Sequence, residues 1–138
     1  MIKKASTPSK GGFGIKRSRD DDAVLRFSFK LFDGTDTEVC PEEFDTRYTK
    51  ILMERLRELS SWKVSDFVGA CNKTVRNHQI DWRKTSRPDG FKHLNEQHKS
   101  YPAYQFSLTV NKYGRVHGII IDDTFYVIWL DCRHNLYS

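Results

Sequence analysis

The chain has 138 residues, of which 38% are hydrophobic and 13% aromatic, and its formal net charge at pH 7 is +5. A chain of this length is typically one domain with a buried core. No stretch approaches the roughly 18 consecutive apolar residues of a membrane span, and no apolar run follows the basic N-terminus as in a secretory signal. We therefore expect a cytoplasmic protein that does not associate with membranes.

The positive charge is concentrated at the N-terminus. Residues 1–19 hold six of the 23 Lys and Arg residues and no acid, whereas the other 17 basic residues are matched against all 18 acids. Residues 1–22 are rich in Ser, Thr, Pro, Gly and Lys, a composition typical of disorder. We predict a disordered basic tail over 1–22 and a single α+β domain over 23–138. The tail is either an arm that binds RNA phosphates or a partner, or a flexible extension.

Neither a disulfide framework nor a metal site is predicted. The three cysteines, Cys40, Cys71 and Cys132, are widely spaced and form no Cys-x-x-Cys pair, so we expect free thiols. The five histidines lack the compact spacing of zinc ligands. No Walker loop, Rossmann fingerprint or nucleophile elbow occurs in the sequence. We therefore expect neither a metal nor an organic cofactor.

The first part of the domain predicts one strand followed by two helices. Hydrophobic residues alternate over 24–32, which is typical of a strand with one buried face. Apolar residues at helical spacing predict a helix over 41–59, where Pro41 suits the first helical position. A shorter helix is expected over 65–71, with Ser65 as its N-cap.

The second part of the domain predicts strands. Residues 74–82 alternate and would form a strand, and the stretch 85–90, which contains Pro and Gly, is a loop. Three clearer strands span 104–110, 115–121 and 124–131. In the last of these, alternation places three side chains on one face, namely Phe125, Val127 and Trp129. The element order predicts an α+β fold, in which two N-terminal helices pack on one face of an antiparallel sheet.

Two groups of candidate functional residues lie near the C-terminus. Arg115 and His117 share one face of a predicted strand, where Arg can bind phosphate and His can transfer a proton. The segment 131–137 follows a buried strand and adds a guanidinium, an imidazole and a phenol, from Arg133, His134 and Tyr137. Each group has a structural alternative, which is a solvated arginine beside an internal histidine, or a solvated chain end.

The segment 73–92 is locally basic. It holds six Lys and Arg residues against two acids, with aromatic residues among them. Cations bind phosphates and aromatic rings stack on bases, so this segment is either an RNA-binding surface or a solvated loop. Arg76 and His78 repeat the Arg-x-His spacing of Arg115 and His117, and these side chains would converge if both strands share a sheet face. The residues assigned to RNA binding are Arg76, His78, Arg83, Lys84, Arg87 and Arg133.

The stretch from Gly114 to Tyr137, GRVHGIIIDDTFYVIWLDCRHNLY, resembles the ending of RelE/YoeB-type toxins. In that family, a strand that begins with Arg runs through an acidic turn into a second strand, and the chain ends with Arg, His and Tyr. The order of the predicted elements is also similar. The resemblance implies a RelE-like fold and an mRNA endonuclease, free or ribosome-dependent, that an antitoxin protein neutralises. It matches Arg115 to the phosphate-contacting arginine, and His134 and Tyr137 to the terminal residues of the site.

The implied reaction is RNA cleavage without a metal ion. A general base removes the proton of the ribose 2′-hydroxyl, which attacks the adjacent phosphorus. Cations stabilise the charged phosphorane, and an acid protonates the leaving 5′-oxygen. The predicted catalytic set comprises Arg115, His117, His134 and Tyr137. The alternative is a non-catalytic module that binds nucleic acid or a protein through the same basic and aromatic residues.

Overall fold

The structure is a computed structural model that describes residues 23–137. The predicted tail over 1–22 lies outside these residues. The described part is a mixed α/β domain with three helices, five strands and a 3₁₀ turn at Trp82–Lys84. None of its helices combines the length and the apolar character that a membrane crossing requires. In chain order the helices and strands are β1 (Arg26–Ser28), α1 (Tyr48–Leu59), α2 (Val64–Gly69), β2 (His78–Gln79), α3 (Glu96–Lys99), β3 (Ala103–Ser107), β4 (Arg115–Ile121) and β5 (Thr124–Asp131).

The strands form one sheet in the order β1–β5–β4–β3–β2. The last four strands pair antiparallel, whereas β1 pairs parallel to β5 at the edge. The prediction of a wholly antiparallel sheet is therefore wrong at β1. Before β1, Leu25 donates its N–H to the carbonyl of Trp62, and beyond β1, Asp33 donates to the carbonyl of Ile128. These bonds hold the strand at both ends in the parallel direction.

β1 is also shorter than the strand predicted over 24–32. The chain turns after Ser28, whose hydroxyl accepts the N–H of Lys30, and Phe32 donates its N–H back to the carbonyl of Phe29. The two phenylalanines are 52% and 43% exposed. The alternating pattern therefore covers a short strand followed by a turn.

The two faces of the sheet are covered differently. One face, the helix face, packs against α1 and α2 and carries Phe106, Val116, Ile120, Phe125 and Val127. The buried residues of α1 lie at helical spacing and point to this face: Tyr48, Leu52, Leu56 and Leu59. The other face, the loop face, carries Ala103, Ile119 and Ile128. Connecting segments cover it through Val39, Ile80, Phe91, Leu94 and Leu136.

A β-bulge interrupts the pairing of β4 with β5. His117 lies opposite Trp129, but its neighbour Gly118 lies opposite Val127, so Ile128 is an extra residue on β5. The bulge moves Trp129 to the loop face, and the prediction that it shares a face with Val127 is therefore wrong. The backbones approach closely here, because a Cβ on Gly118 would lie 2.0 Å from the carbonyl oxygen of Tyr126.

Helix α1 begins at Tyr48, whereas the sequence predicted a helix from Pro41. The preceding segment is anchored to the loop face, because Val39 and Cys40 are buried there and Leu130 donates its N–H to the Cys40 sulfur. Because these contacts fix the chain on the loop face, residues 41–47 are not helical. The helix begins at Tyr48, whose N–H is donated to the carbonyl of Asp45. The second helix begins at Val64 and ends at Gly69, close to the predicted 65–71, but Ser65 is not its N-cap.

The bounds of β4 and β5 agree with the predicted strands 115–121 and 124–131, and β3 is shorter than the predicted 104–110. The predicted strand over 74–82 is reduced to the two residues of β2. Asn72 prevents an earlier start, because its side chain accepts the N–H groups of Thr74 and Val75 and closes a turn.

Candidate functional site

A cavity of about 610 Å³ opens where β2, the start of β4 and the segment 132–137 meet, and we call it the cationic cavity. Its lining contains three Lys or Arg side chains and two histidines, and no carboxylate among the residues that the structure describes. The lining residues are Cys71, Asn72, Lys73, Arg76, His78, Gln105, Arg115, His134 and Tyr137. Five of the residues predicted from separate parts of the sequence therefore meet here, namely Arg76, His78, Arg115, His134 and Tyr137.

Four buried polar side chains lie side by side on the loop face, and two of them, Gln105 and Arg115, line this cavity. Gln105 of β3 lies opposite His117 of β4, and Ser107 lies opposite Arg115. None of the four is more than 9% exposed. Each has one polar atom without a hydrogen-bond partner: Gln105 Oε1, Ser107 Oγ, Arg115 Nε and His117 Nδ1. Buried polar atoms without partners oppose folding, so this cluster requires an explanation beyond stability.

Arg115 is a buried cation with few partners. Its Nη1 donates to the carbonyl of Gly114 at 3.3 Å, its Nε is unpaired, and it makes no ion pair with a carboxylate in residues 23–137. Burial and the nearby charge of Arg76 lower the pKa of Arg115, although a guanidinium remains protonated at neutral pH. An anion in the cavity would give Nε a hydrogen-bond partner and would offset the repulsion between the charges of Arg115 and Arg76.

Backbone conformations rarely adopted by L-residues place two of the lining side chains. Arg76 has φ 53° and His134 has φ 56°, both in the left-handed region. Such conformations cost free energy and cluster at functional sites. His134 is exposed at the surface, but partial desolvation in the cavity, reinforced by the charge of Arg115, lowers its pKa, so its imidazole is neutral at neutral pH. A neutral imidazole can accept a proton.

His78 and Tyr137 are neighbours in the lining of the cavity. Their rings meet edge to face with centroids 5.9 Å apart, and His78 Nε2 lies 3.0 Å from the amide nitrogen of Gln105. The Tyr137 hydroxyl accepts the N–H of Asp81, which leaves its own proton free to be donated. Burial raises the pKa of Tyr137, so the phenol stays protonated at neutral pH.

His117 does not line the cavity, although the sequence assigned it to the catalytic set. It is fully buried, its ring meets the ring of Trp129 edge to face, and its Nε2 lies 3.1 Å from Asp131 Oδ2. Burial lowers the pKa of His117. Burial alone would raise the pKa of Asp131, but the bond from His117 and those from two backbone N–H groups outweigh it. The pair is therefore a neutral imidazole and a carboxylate.

The Asp131 carboxylate organises the segment that carries His134 and Tyr137. It accepts the N–H of Asn135 at 2.8 Å and that of Leu136 at 2.9 Å, in addition to its bond with His117. The conformation of the terminal segment therefore depends on a buried side chain of β5.

The other four residues predicted to bind RNA lie outside the cavity. Arg83 is exposed and pairs with Asp81, and Lys84 is exposed on the 3₁₀ turn. Arg87 is bound by Asp36 and Glu38, and its hydrogen bonds to them raise its pKa. Arg133 lines a separate cavity of about 530 Å³, which also includes Tyr48, Tyr113 and Lys112.

Sequence reasoning missed Gln105 as a lining residue and Asp131 as the organiser of the terminal segment. Gln105 carries no distinguishing signal, because the alternation of its strand places it with Ser107 on the side opposite Phe106, where a polar residue is expected to face solvent. The role of Asp131 depends on the bulge at Ile128, which has no signal in the sequence.

No cluster of three or more His, Cys, Asp or Glu side chains within residues 23–137 is arranged to hold a metal ion. All three cysteines are free thiols, with Cys40 buried, Cys71 exposed and Cys132 intermediate. Comparisons with protein-family models, with curated proteins and with solved structures gave no match to this chain. The candidate function therefore depends on the geometry of the site.

Proposed function

We propose that the chain is an endoribonuclease of the RelE/YoeB type, which cleaves mRNA in the cationic cavity by attack of the ribose 2′-hydroxyl. The observation that carries the proposal is Arg115, a buried guanidinium with an unpaired Nε in a cavity lined by cations and by no described carboxylate. A phosphodiester supplies the missing negative charge, and Arg forms charge-assisted hydrogen bonds with its oxygens.

The lining residues provide each function that the reaction needs. His134, which is neutral at neutral pH, takes the proton of the 2′-hydroxyl as general base. The 2′-oxygen then forms a bond to phosphorus, and Arg115 and Arg76 stabilise the charge that develops on the phosphorane oxygens. Tyr137 donates its phenolic proton to the leaving 5′-oxygen, which completes cleavage to a cyclic phosphate and a 5′-hydroxyl. His78 lies beside Tyr137 and can contact the substrate.

These steps use side chains of the protein for both charge stabilisation and proton transfer, so we propose that cleavage requires no metal ion. The proposal also includes two kinds of partner, which are RNA, free or on the ribosome, and an antitoxin-like protein that blocks the cavity. A toxin of this kind acts in the cytoplasm.

The test is incubation of purified protein with end-labelled RNA in EDTA, with and without ribosomes. We expect the wild type to cleave, and we expect His134→Ala to reduce the rate by about 10²- to 10⁴-fold. Arg83→Ala is the matched control, because it removes an exposed cation outside the cavity. Equal cleavage by wild type and His134→Ala would contradict the proposed base. RNA binding without cleavage by the wild type would favour a non-catalytic binding module.

A further inference from the structure

Asp131 of β5 has two basic neighbours on β4, but it binds only one of them. Arg115 and Asp131 are direct Cα partners in the register, a position that brings cross-strand side chains close together on one face. His117 lies two residues further along β4 and is the diagonal neighbour. The carboxylate is nevertheless hydrogen-bonded to His117 at 3.1 Å, and Arg115 forms no ion pair with it.

The hydrogen bonds of Asp131 explain why its carboxylate binds His117 and not Arg115. Oδ2 accepts from His117 Nε2 and from the N–H of Leu136, and Oδ1 accepts the N–H of Asn135. A carboxylate oxygen only accepts hydrogen bonds, so His117 Nε2 must carry the proton. Three donors, one from β4 and two from the terminal segment, therefore fix the carboxylate, which is fully buried.

The bulge at Ile128 places Asp131 on the same face of the sheet as Arg115 and His117. Along β5, Asp131 has the same parity as Phe125 and Val127, which lie on the helix face. The extra residue reverses the parity beyond Ile128 and places Asp131 on the loop face, opposite Arg115. A carboxylate that would otherwise point towards the apolar core is thus brought beside two basic side chains.

We propose that His117 and Asp131 are positioning residues, whose hydrogen bond holds the carboxylate away from Arg115 and so keeps that guanidinium free to bind phosphate. The identity of the phosphate as part of RNA rests on the function proposed above. The phosphate-binding property itself does not, because it can be measured with inorganic phosphate.

Loss of the donor at position 117 should convert Asp131 into a competitor of the ligand. In His117→Leu, Oδ2 loses a hydrogen bond while the unpaired Nε of Arg115 lies across the strand pair. A buried ion pair between them satisfies both groups and occupies the guanidinium. We expect phosphate to bind about 10- to 100-fold more weakly, the effect of removing hydrogen bonds to a charged group. His117→Gln is the matched control, because its side-chain amide can donate from a position close to that of Nε2.

The experiment is a phosphate titration monitored at the Arg115 Nε–H resonance by ¹⁵N NMR, with the signal assigned by its loss in Arg115→Lys. In the wild type and in His117→Gln we expect this resonance to shift when inorganic phosphate is added. In His117→Leu we expect a shift before any phosphate is added, and weak binding. The double variant His117→Leu with Asp131→Asn removes the competing charge, and we expect it to recover phosphate binding.

Wild-type affinity for phosphate in His117→Leu, or no recovery in the double variant, would overturn the proposal. If His117→Leu does not fold, the wild type decides the matter. An Arg115 Nε–H resonance that does not shift when inorganic phosphate is added to the wild type would show that the guanidinium is not free to bind it, and would overturn the proposal. Phosphate binding that follows this pattern without RNA cleavage would count against the nuclease and would support the positioning role.

Discussion

The helix face and the loop face of the sheet are built from the same three strands, but they bury different kinds of side chain, mainly apolar ones on the helix face and a group of polar ones beside apolar ones on the loop face. On the helix face, the rings of Phe67, Phe106 and Phe125 contact one another with centroids 5.2–6.1 Å apart. On the loop face, the cluster of four polar side chains includes Gln105 and Arg115, each with an unpaired buried atom. Adjacent residues of one strand thus serve stability on one face and a candidate site on the other.

The largest expected effect is a loss of stability from the helix face. Phe106 is fully buried among aromatic rings, and we expect Phe106→Ala to lower the free energy of unfolding by about 3–5 kcal/mol. The side-chain amide of its neighbour Gln105 lies within hydrogen-bond distance of His78, with its nitrogen 3.0 Å from His78 Nε2. We therefore expect Gln105→Ala to cost about 1 kcal/mol or less. Urea denaturation measures the free energy of unfolding of the two variants. Equal losses would show that the helix face contributes no more to stability at this point of β3 than the loop face does.

The next effect separates activity from stability at Arg115. We expect Arg115→Met to reduce RNA cleavage by about 10²- to 10³-fold. Its free energy of unfolding should be unchanged or higher by about 1 kcal/mol, because a buried and poorly paired cation is removed.

Arg55→Met is the matched control for Arg115→Met. Arg55 is also a largely buried arginine, but its guanidinium is bound by the carbonyls of Leu108 and Thr74 and by Glu58. We expect this variant to lose about 1–3 kcal/mol of stability and to keep its cleavage rate per folded molecule. Urea denaturation and cleavage assays on both variants test the pair. A large loss of stability in Arg115→Met would contradict our view of that residue.

A smaller effect is the dependence of stability on pH. Burial lowers the pKa of His117 in the folded protein, so below about pH 6.5 the unfolded chain takes up a proton that the folded chain does not. Stability should therefore fall as the pH decreases through this range, by at most about 1.4 kcal/mol per pH unit for one group. His117→Gln should reduce the slope above about pH 5, and the slope that remains belongs to His134, whose pKa is lowered in the same direction. The pKa of Asp131 is also lowered, so its contribution is lost only at more acidic pH. Identical slopes in wild type and His117→Gln would contradict the assignment.

The smallest effect concerns the predicted RNA-binding residues that lie outside the cavity. Arg83 is exposed and already paired with Asp81, so we expect Arg83→Ala to leave the free energy of unfolding unchanged. We also expect it to weaken RNA binding less than Arg76→Ala, which removes a cation from the cavity. Binding isotherms at several salt concentrations compare the two, since each lost phosphate contact lowers the salt slope by about one. A larger loss for Arg83→Ala would move the RNA surface to the 3₁₀ turn.

Periodic hydrophobicity was enough to locate the long elements and not enough to fix their ends. The strands 115–121 and 124–131 were predicted with the observed bounds, because both are long and strongly apolar. The start of α1 was missed, since burial of Val39 and Cys40 on a distant face overrides the local preference for a helix after Pro41. Such long-range contacts have no local signature.

The meeting of Arg76 and His78 with Arg115 was suggested by a repeated spacing, but the structure reaches it by a different route. The expected strand over 74–82 does not form. Within that stretch only His78 and Gln79 form a strand, β2, which pairs with β3, and Arg76 precedes β2 in a left-handed conformation. Neither this left-handed conformation nor the extra residue at Ile128 has a recognisable signal in the sequence. The residue types of the site were therefore predictable, whereas the contacts that orient them were not.

The parallel pairing of β1 with β5 has a consequence for the order of folding during synthesis. The register joins Arg26 to Thr124, so β1 meets its partner strand about 100 residues later in the chain. The helices α1 and α2 likewise bury their apolar sides against β3, β4 and β5, which are all translated after them. The first half of the chain thus leaves the ribosome with its apolar surface uncovered, and the C-terminal hairpin of β4 and β5 must form before that surface can be buried.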